Sequence, residues 1–257
     1  MVLLAIDIGN TNIMLGVFKD DKLAFVSRLA TDRYRTADQY AVELRQIFAL
    51  YDAAELIYSG SILSSVVPEL TQAFCRAVQY VTGTQPMVLS PGIRTGLNIR
   101  TDNPAEVGAD LVAGAVGALA QYETPCLVLD LGTATKISVL DCSGAFCGCT
   151  ISPGVSISLD ALSSRASQLP AISFKKPSCV IGKNTVDSMQ SGIVFGVSSM
   201  LDGMCDKIEA ELGDKVRTII ATGGLSGEIV KSCQHHVVIN PNLILEGLRV
   251  IYLKNQN

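Results

Sequence analysis

No stretch of this sequence runs for about 18 apolar residues without interruption, so no membrane-spanning helix is expected. Basic charge is also scarce: 20 Lys and Arg against 24 Asp and Glu give a formal net charge of −4, and the cations are scattered. A nucleic-acid surface normally needs a basic patch, so that class of function is set aside. There are two histidines, adjacent at His235 and His236, and the one close cysteine pair is Cys147 and Cys149. That is too sparse for a metal-binding set. Eight cysteines in 257 residues, with no secretory signal, read as free thiols of a reducing compartment rather than a disulfide scaffold. The opening MVLLAID has no basic flank and meets Asp7 too early for a signal peptide, so a cytoplasmic location is expected.

What is present is a hydrophobic fraction of 48%, enough for a sizeable core, on a chain long enough for one large domain or two of ordinary size. The stretch LLAIDIGNTNIMLGVF, residues 3 to 18, holds two apolar strands around an acid and a short polar turn. A carboxylate at a strand end is costly to desolvate unless something pairs with it. A hairpin turn capped by Asp7 would account for it; so would a ligand. LAFVSRLA reads as a third strand, and TADQYAVELRQIFALY as a helix with Tyr40, Leu44, Ile47 and Leu50 on one face. ELIYSGSIL reads as a strand, PELTQAFCRAVQYVTG as a helix stopped by Gly83, and PMVLS as a short strand.

The pattern then recurs. CLVLDLGTATKISVLD, residues 126 to 141, again runs strand, acid, apolar residue, glycine, polar turn, strand, with Asp130 where Asp7 stood. It is followed by helices and a late strand, TIIATGGLS, ending in glycines. A single recurrence after half the chain fits duplication of one α/β unit. Domains are expected at residues 1–121 and 122–257, since the helical run DLVAGAVGALAQY ends in ETP without a flexible linker. The two turns are expected to face each other across a cleft.

Glycine turns bring backbone N–H groups close to an anion, and Thr or Asn adds donors, which makes phosphate the natural guest. An acid beside a phosphate requires a bridging cation, as Mg²⁺ does in nucleotide sites. Rival motifs fail. IGKNT, residues 181 to 185, has Pro177 where a Walker loop needs its first glycine, and Gly223, Gly224 and Gly227 lack dinucleotide spacing. TGGLSG is either a strand-to-helix turn or a bare-backbone platform for adenosine.

With these segments in place, the chain resembles the type III pantothenate kinases of the actin, sugar kinase and Hsp70 superfamily. The matching segments are DIGNTN at 7–12, TDRYRTADQY at 31–40, SSVVP at 64–68, GLNIRTDNPAEVGAD at 96–110, DLGTAT at 130–135, ISPGVSISLDALSSRASQLP at 151–170, GKNTVDSMQSGIVFG at 182–196 and ATGGLS at 221–226. The resemblance implies an α/β fold of two duplicated ribonuclease-H-like, actin-like ATPase domains with mixed sheets and a cleft between them. It also implies a homodimer and ATP-dependent phosphorylation of pantothenate, the first step toward coenzyme A. Its phosphate loop falls on Asp7, Ile8, Gly9, Asn10, Thr11, Asn12, Ile13 and Met14, with Asp7 acting on Mg²⁺ through water and Thr133 touching nucleotide. Asp110 corresponds to the general base; Gly108, Ala109, Asp110, Leu111 and Thr185 correspond to the pantothenate site. Asp130 corresponds to the ligand of a monovalent cation, K⁺ or NH₄⁺. Read from the residues alone, Asp110 also serves as a helix N-terminal acid and Thr185 as an N-cap.

Four residues depart from the family pattern. Leu111 replaces an arginine expected to hold the substrate carboxylate, Thr101 replaces an aromatic against pantothenate, Lys136 replaces a threonine, and Cys149 replaces a glycine. Losing a fork of charged donors costs ~1.5 to 3 kcal/mol, roughly one to two decades in affinity. Lys136 offers positive charge near the phosphates or at the cation position. Leu111 and Thr101 leave open an alternative: a non-catalytic or altered-substrate paralogue that binds nucleotide and acts as regulator or partner.

Overall fold

The computed structural model describes residues 1–256 and divides into two compact units. Of the described residues, one comprises 1–97, 103–120 and 243–256, the other 98–102 and 121–242.

The first unit begins with β1, Val2–Ile8, whose residues 3 to 8 are all buried. A run that is apolar except for Asp7 suits a strand covered on both faces. It forms an antiparallel hairpin with β2, Asn12–Lys19, which in turn pairs antiparallel with β3, Lys22–Ala30. The chain then crosses over through α1, Ala37–Leu50, to β4, Gly60–Ser65, parallel to β1. A second crossover, α2 at Pro68–Thr82, leads to β5, Met87–Val88, parallel to β4. The sheet order is β3-β2-β1-β4-β5.

Local sequence explains the helix ends. Thr36 and Gln39 form a reciprocal capping box at the start of α1. Pro68 opens α2, and Gly83, left-handed at φ 73°, closes it. Both helices lay their apolar stripes on one core with Leu4, Ile6, Ile8, Ile13 and Leu15, in which Leu44, Phe48 and Phe74 are buried. Each such side chain contributes about 1.5–3 kcal/mol through burial. Two expectations shift here. Leu50 is 75% exposed, because the α1 stripe turns through Ala41 and Phe48 and leaves the last residue on the far side. The strand expected from ELIYSGSIL starts only at Gly60.

Helix α3, Ala109–Gln121, buries Val112 to Ala118. The second unit then repeats the plan. β6, Cys126–Leu131, forms a hairpin with β7, Ala134–Leu140, which pairs with β8, Phe146–Pro153, both antiparallel. After α4, Val155–Arg165, and the long α5, Thr185–Leu212, comes β9, Thr218–Thr222, parallel to β6. The short α6, Ser226–Ile229, leads to β10, Val237–Ile239, parallel to β9. The order β8-β7-β6-β9-β10 repeats that of the first sheet, strand for strand and sense for sense. His235 and His236 precede β10, and the His235 ring lies 3.0 Å from Asp206.

The units depart from a single break at residue 121 in two places. The final helix α7, Leu243–Lys254, returns to the first unit, packing on β1, β4 and α3. Two glycines allow the approach: a Cβ on Gly247 would lie 1.8 Å from the Ala113 carbonyl oxygen, and one on Gly117 2.4 Å from that of Leu243. Residues 98–102 join the second unit, where the backbone of Asn98 and Arg100 bonds Phe146 and Arg100 pairs with Asp141 at 2.8 Å.

Candidate active site

The β1–β2 turn carries the first acid. Asp7, 9% exposed, stands opposite Met14 in the hairpin ladder and beside Ser64 of β4 in the parallel ladder. The fully buried Ser64 hydroxyl donates to the Asp7 carboxylate, supplying a neutral donor to an acid that burial would otherwise penalise. Beyond Asp7 the chain reverses through Gly9, Asn10 and Thr11, closed by Gly9 N–H donating to the Asn12 carbonyl at 3.0 Å. Asn10, Thr11 and Asn12 are exposed. The turn is tied down from the end of β3. Thr31 donates its hydroxyl to the Gly9 carbonyl at 2.7 Å and its N–H to that of Thr11 at 3.0 Å, while Arg33 donates to Asn10 at 3.0 Å. Ile8 and Ile13 are fully buried core residues, so a ligand could meet only their backbone.

The β6–β7 turn carries the second acid in a different setting. Asp130 stands opposite Lys136 and beside Thr222 of β9. The Lys136 ammonium lies 2.8 Å from Asp130 Oδ2, with side-chain exposures of 16% and 15%. The turn closes through Gly132 N–H to the Ala134 carbonyl at 3.2 Å and leaves Thr133 exposed. Two glycines from later in the chain press against it. A Cβ on Gly154, just before α4, would fall 2.2 Å from the Thr133 carbonyl oxygen; one on Gly223, at φ +92°, would fall 2.5 Å from that of Leu131. The turn after β9 is thus glycine-rich partly because it abuts β6. Ser226 donates its hydroxyl back to the Gly223 carbonyl at 2.8 Å, which makes TGGLSG a strand-to-helix turn.

Asp110 is the second residue of α3, so its carboxylate lies in the helix's first turn and accepts from the Leu111 N–H at 2.9 Å. A carboxylate is favoured there by the helix dipole. Gly108 precedes the helix and its carbonyl accepts from Val112; Ala109 and Leu111 flank the acid, both half-buried. Thr185 is the first residue of α5 and exposed. Its neighbour Asn184 is the N-cap, accepting from Asp187 N–H at 2.9 Å, so Thr185 is spared the capping role.

Sequence reasoning gave no part to Ser64, Thr31, Arg33 or Gly154. All four lie in segments that carry the resemblance, but their use depends on strand neighbours distant in the chain. Among the described residues no group of three or more His, Cys, Asp or Glu is placed to hold a metal. Mg²⁺ usually keeps its waters and meets one or two carboxylates while phosphates supply the rest, so it needs no such group. The β1–β2 turn suits that mode. The β6–β7 acid suits a cation poorly, because an ammonium already sits on it.

The duplicated sheets and paired acid turns define the fold class of actin-like ATPases and sugar kinases. The fold is similar to that of a Campylobacter jejuni protein named a Baf family transcriptional activator, at TM-score 0.63 and 18% identity over 99% of each chain. It is also similar to an inorganic polyphosphate/ATP-glucomannokinase from Arthrobacter sp. strain KM, at TM-score 0.50 and 17% identity over 98% of this chain and 99% of that one. The type III pantothenate kinase family model matches residues 3–207. A type III pantothenate kinase of Moorella thermoacetica is 43% identical over 255 residues, 99% of this chain and 100% of the relative. The chain belongs to the type III pantothenate kinase family and is therefore a phosphotransferase.

Proposed function

We propose that the chain transfers the γ-phosphoryl group of ATP to the hydroxyl of pantothenate, giving 4′-phosphopantothenate and ADP, the first step toward coenzyme A. The observation that carries this reading is the 43% identity along the full length to a relative named for that activity. The non-catalytic alternative has no comparable support.

The residues divide the work as phosphoryl transfer requires, mostly by positioning and charge. In the first unit residues 7–14 are the phosphate loop; in the second, Thr133 and the TGGLSG backbone are the nucleotide contacts. Exposed backbone N–H groups and the side chains of Asn10, Thr11 and Asn12 receive phosphate oxygens. Mg²⁺ entering with ATP neutralises charge on the phosphates. Asp7 is the residue to hold it, through water, kept in place by the Ser64 hydroxyl. Asp110 accepts the proton of the pantothenate hydroxyl at its carboxylate, and the helix terminus with the Leu111 N–H fixes that carboxylate's direction. Gly108, Ala109, Leu111 and Thr185 line the substrate. Leu111, in place of an arginine, leaves the pantothenate carboxylate with a weaker hold, so an elevated KM is expected.

Exposed apolar residues occur in both units, among them Val42, Leu50 and Ile57 in the first and Ile151, Val180 and Ile181 in the second, and offer surface that the family's homodimer would cover. A cytoplasmic location agrees with cysteines that form no disulfide among the described residues. No described helix is long and apolar enough to cross a membrane.

The test is mass-spectrometric detection of 4′-phosphopantothenate from the full chain with ATP, Mg²⁺ and saturating pantothenate. Asp110→Asn should lower kcat about 10²- to 10⁴-fold while leaving the fold intact. Absence of product from the parent, or undiminished turnover in Asp110→Asn, would reject the assignment.

A further inference from the structure

We infer that the Lys136 ammonium is the resident cation of the second turn, doing at Asp130 what a bound monovalent cation would do, so that this chain requires no added K⁺ or NH₄⁺. The inference deepens the kinase reading and rests on it only in supposing that positive charge is called for at Asp130.

The antiparallel register sets Lys136 directly opposite Asp130, and facing residues of a hairpin project on the same side of the sheet. The contact is thus imposed by the strand pairing rather than by a chance surface rotamer. At 2.8 Å, with both side chains about five-sixths covered, the pair is a charge-assisted hydrogen bond shielded from bulk water. An alkylammonium is chemically a tethered ammonium: the same charge and three N–H donors, held at the acid by the chain itself. A K⁺ ion brought to the same carboxylate would have to displace the ammonium or lie beside it, like charge against like. The structure therefore disagrees with a free monovalent cation at this acid.

The other hairpin strengthens the point. At the corresponding place opposite Asp7 stands Met14, which carries no charge, so nothing in the duplicated framework demands a lysine here. Removing the ammonium by Lys136→Thr leaves a largely covered carboxylate without its cation. A mobile cation then becomes the cheapest remedy.

The experiment compares the full-length parent, Lys136→Thr and Lys136→Arg in KCl and choline chloride at equal ionic strength, reading the melting temperature and, separately, turnover of pantothenate. The parent should melt at the same temperature in both salts, and KCl should change its rate less than about twofold. Lys136→Thr should gain a saturable KCl-dependent rise of roughly 3 °C or more and an activation of about tenfold or greater. Lys136→Arg, which keeps the charge, should stay indifferent to K⁺. Saturable K⁺ stabilisation of the parent overturns the inference without reference to any variant. So does a folded Lys136→Thr that does not respond to K⁺. A K⁺ response confined to Lys136→Thr, with no phosphorylated product from any protein, would uphold the cation assignment and reject the kinase reading instead.

Discussion

Asp7 and Asp130 occupy corresponding rungs of two sheets with the same strand order, and their surroundings differ in charge. Asp7 faces Met14 and takes a hydrogen bond from the Ser64 hydroxyl; Asp130 faces Lys136 and neighbours Thr222. The shared framework fixes where an acid stands. A single residue on the opposing strand then decides whether that acid already holds a cationic side chain. The turns also differ in how they are held. Hydrogen bonds from Thr31 and Arg33 secure the first, whereas close backbone packing by Gly154 and Gly223 secures the second. Hydrogen bonding leaves the first turn exposed and adjustable; packing makes the second intolerant of added volume.

The sharpest way to break this comparison is to move the lysine. Met14→Lys gives the first acid the second acid's partner, and the ammonium should occupy Asp7 in place of a hydrated divalent ion. A fall in kcat/KM of about a hundredfold, roughly 2.7 kcal/mol, is expected, with the melting temperature little changed. Retained activity would mean that Asp7 is not the residue that meets Mg²⁺.

Glycine substitutions test the second contrast. Gly154→Ala would set a methyl 2.2 Å from the Thr133 carbonyl oxygen, whereas Gly9→Ala meets the Asn12 carbonyl oxygen only at 3.1 Å. Denaturant melts should register a loss of about 1–3 kcal/mol for Gly154→Ala and a smaller one for Gly9→Ala. Equal losses would show the two turns to be equally tight.

A smaller effect is expected from Ser64→Ala, which removes the hydroxyl from a buried carboxylate. The loss should be about 1–2 kcal/mol in stability, read in denaturant melts. An unchanged melt would mean that the hydroxyl does not help to hold Asp7.

The gentlest test uses acid. In the second unit, the hydrogen bond from Lys215 to Glu209 holds that carboxyl below its ordinary value, aided against burial by the Val216 N–H. A depressed carboxyl contributes stability that is present above its unfolded value, near 4.5, and lost as the pH falls through its folded one. Protection from hydrogen exchange at β9 and the end of α5, taken relative to the intrinsic rate at each pH, should therefore fall as the pH drops below about 4.5, and Glu209→Gln should blunt that dependence. If the parent and Glu209→Gln respond alike, the pairing contributes nothing.

Much of the fold was legible because its central strands are continuous apolar runs broken by glycine turns, and because the run recurs. The Asp7 and Asp130 turns could be found that way, since each acid interrupts an otherwise apolar strand end. Other features were hidden. Periodicity put Leu50 inside, but whether a helix's last residue meets a core depends on where its neighbours end. Composition pointed to Thr185 as the N-cap of α5, and backbone geometry chose its neighbour Asn184. The return of α7 to the first unit left no mark in local pattern, since an amphipathic helix carries no address. Its address is the close fit of Gly247 and Gly117 to partner backbones.

By itself the sequence determined the duplicated α/β plan, the two acids and the residues at risk of altering the site, because period, turn chemistry and motif order are local properties of the chain. Tertiary structure alone decided what each acid touches. Ser64 reaches Asp7 across 57 positions and Gly154 presses on Thr133 from a later crossover, contacts created by strand register and backbone approach. A carboxylate's charge is set by such neighbours, and no local pattern names them.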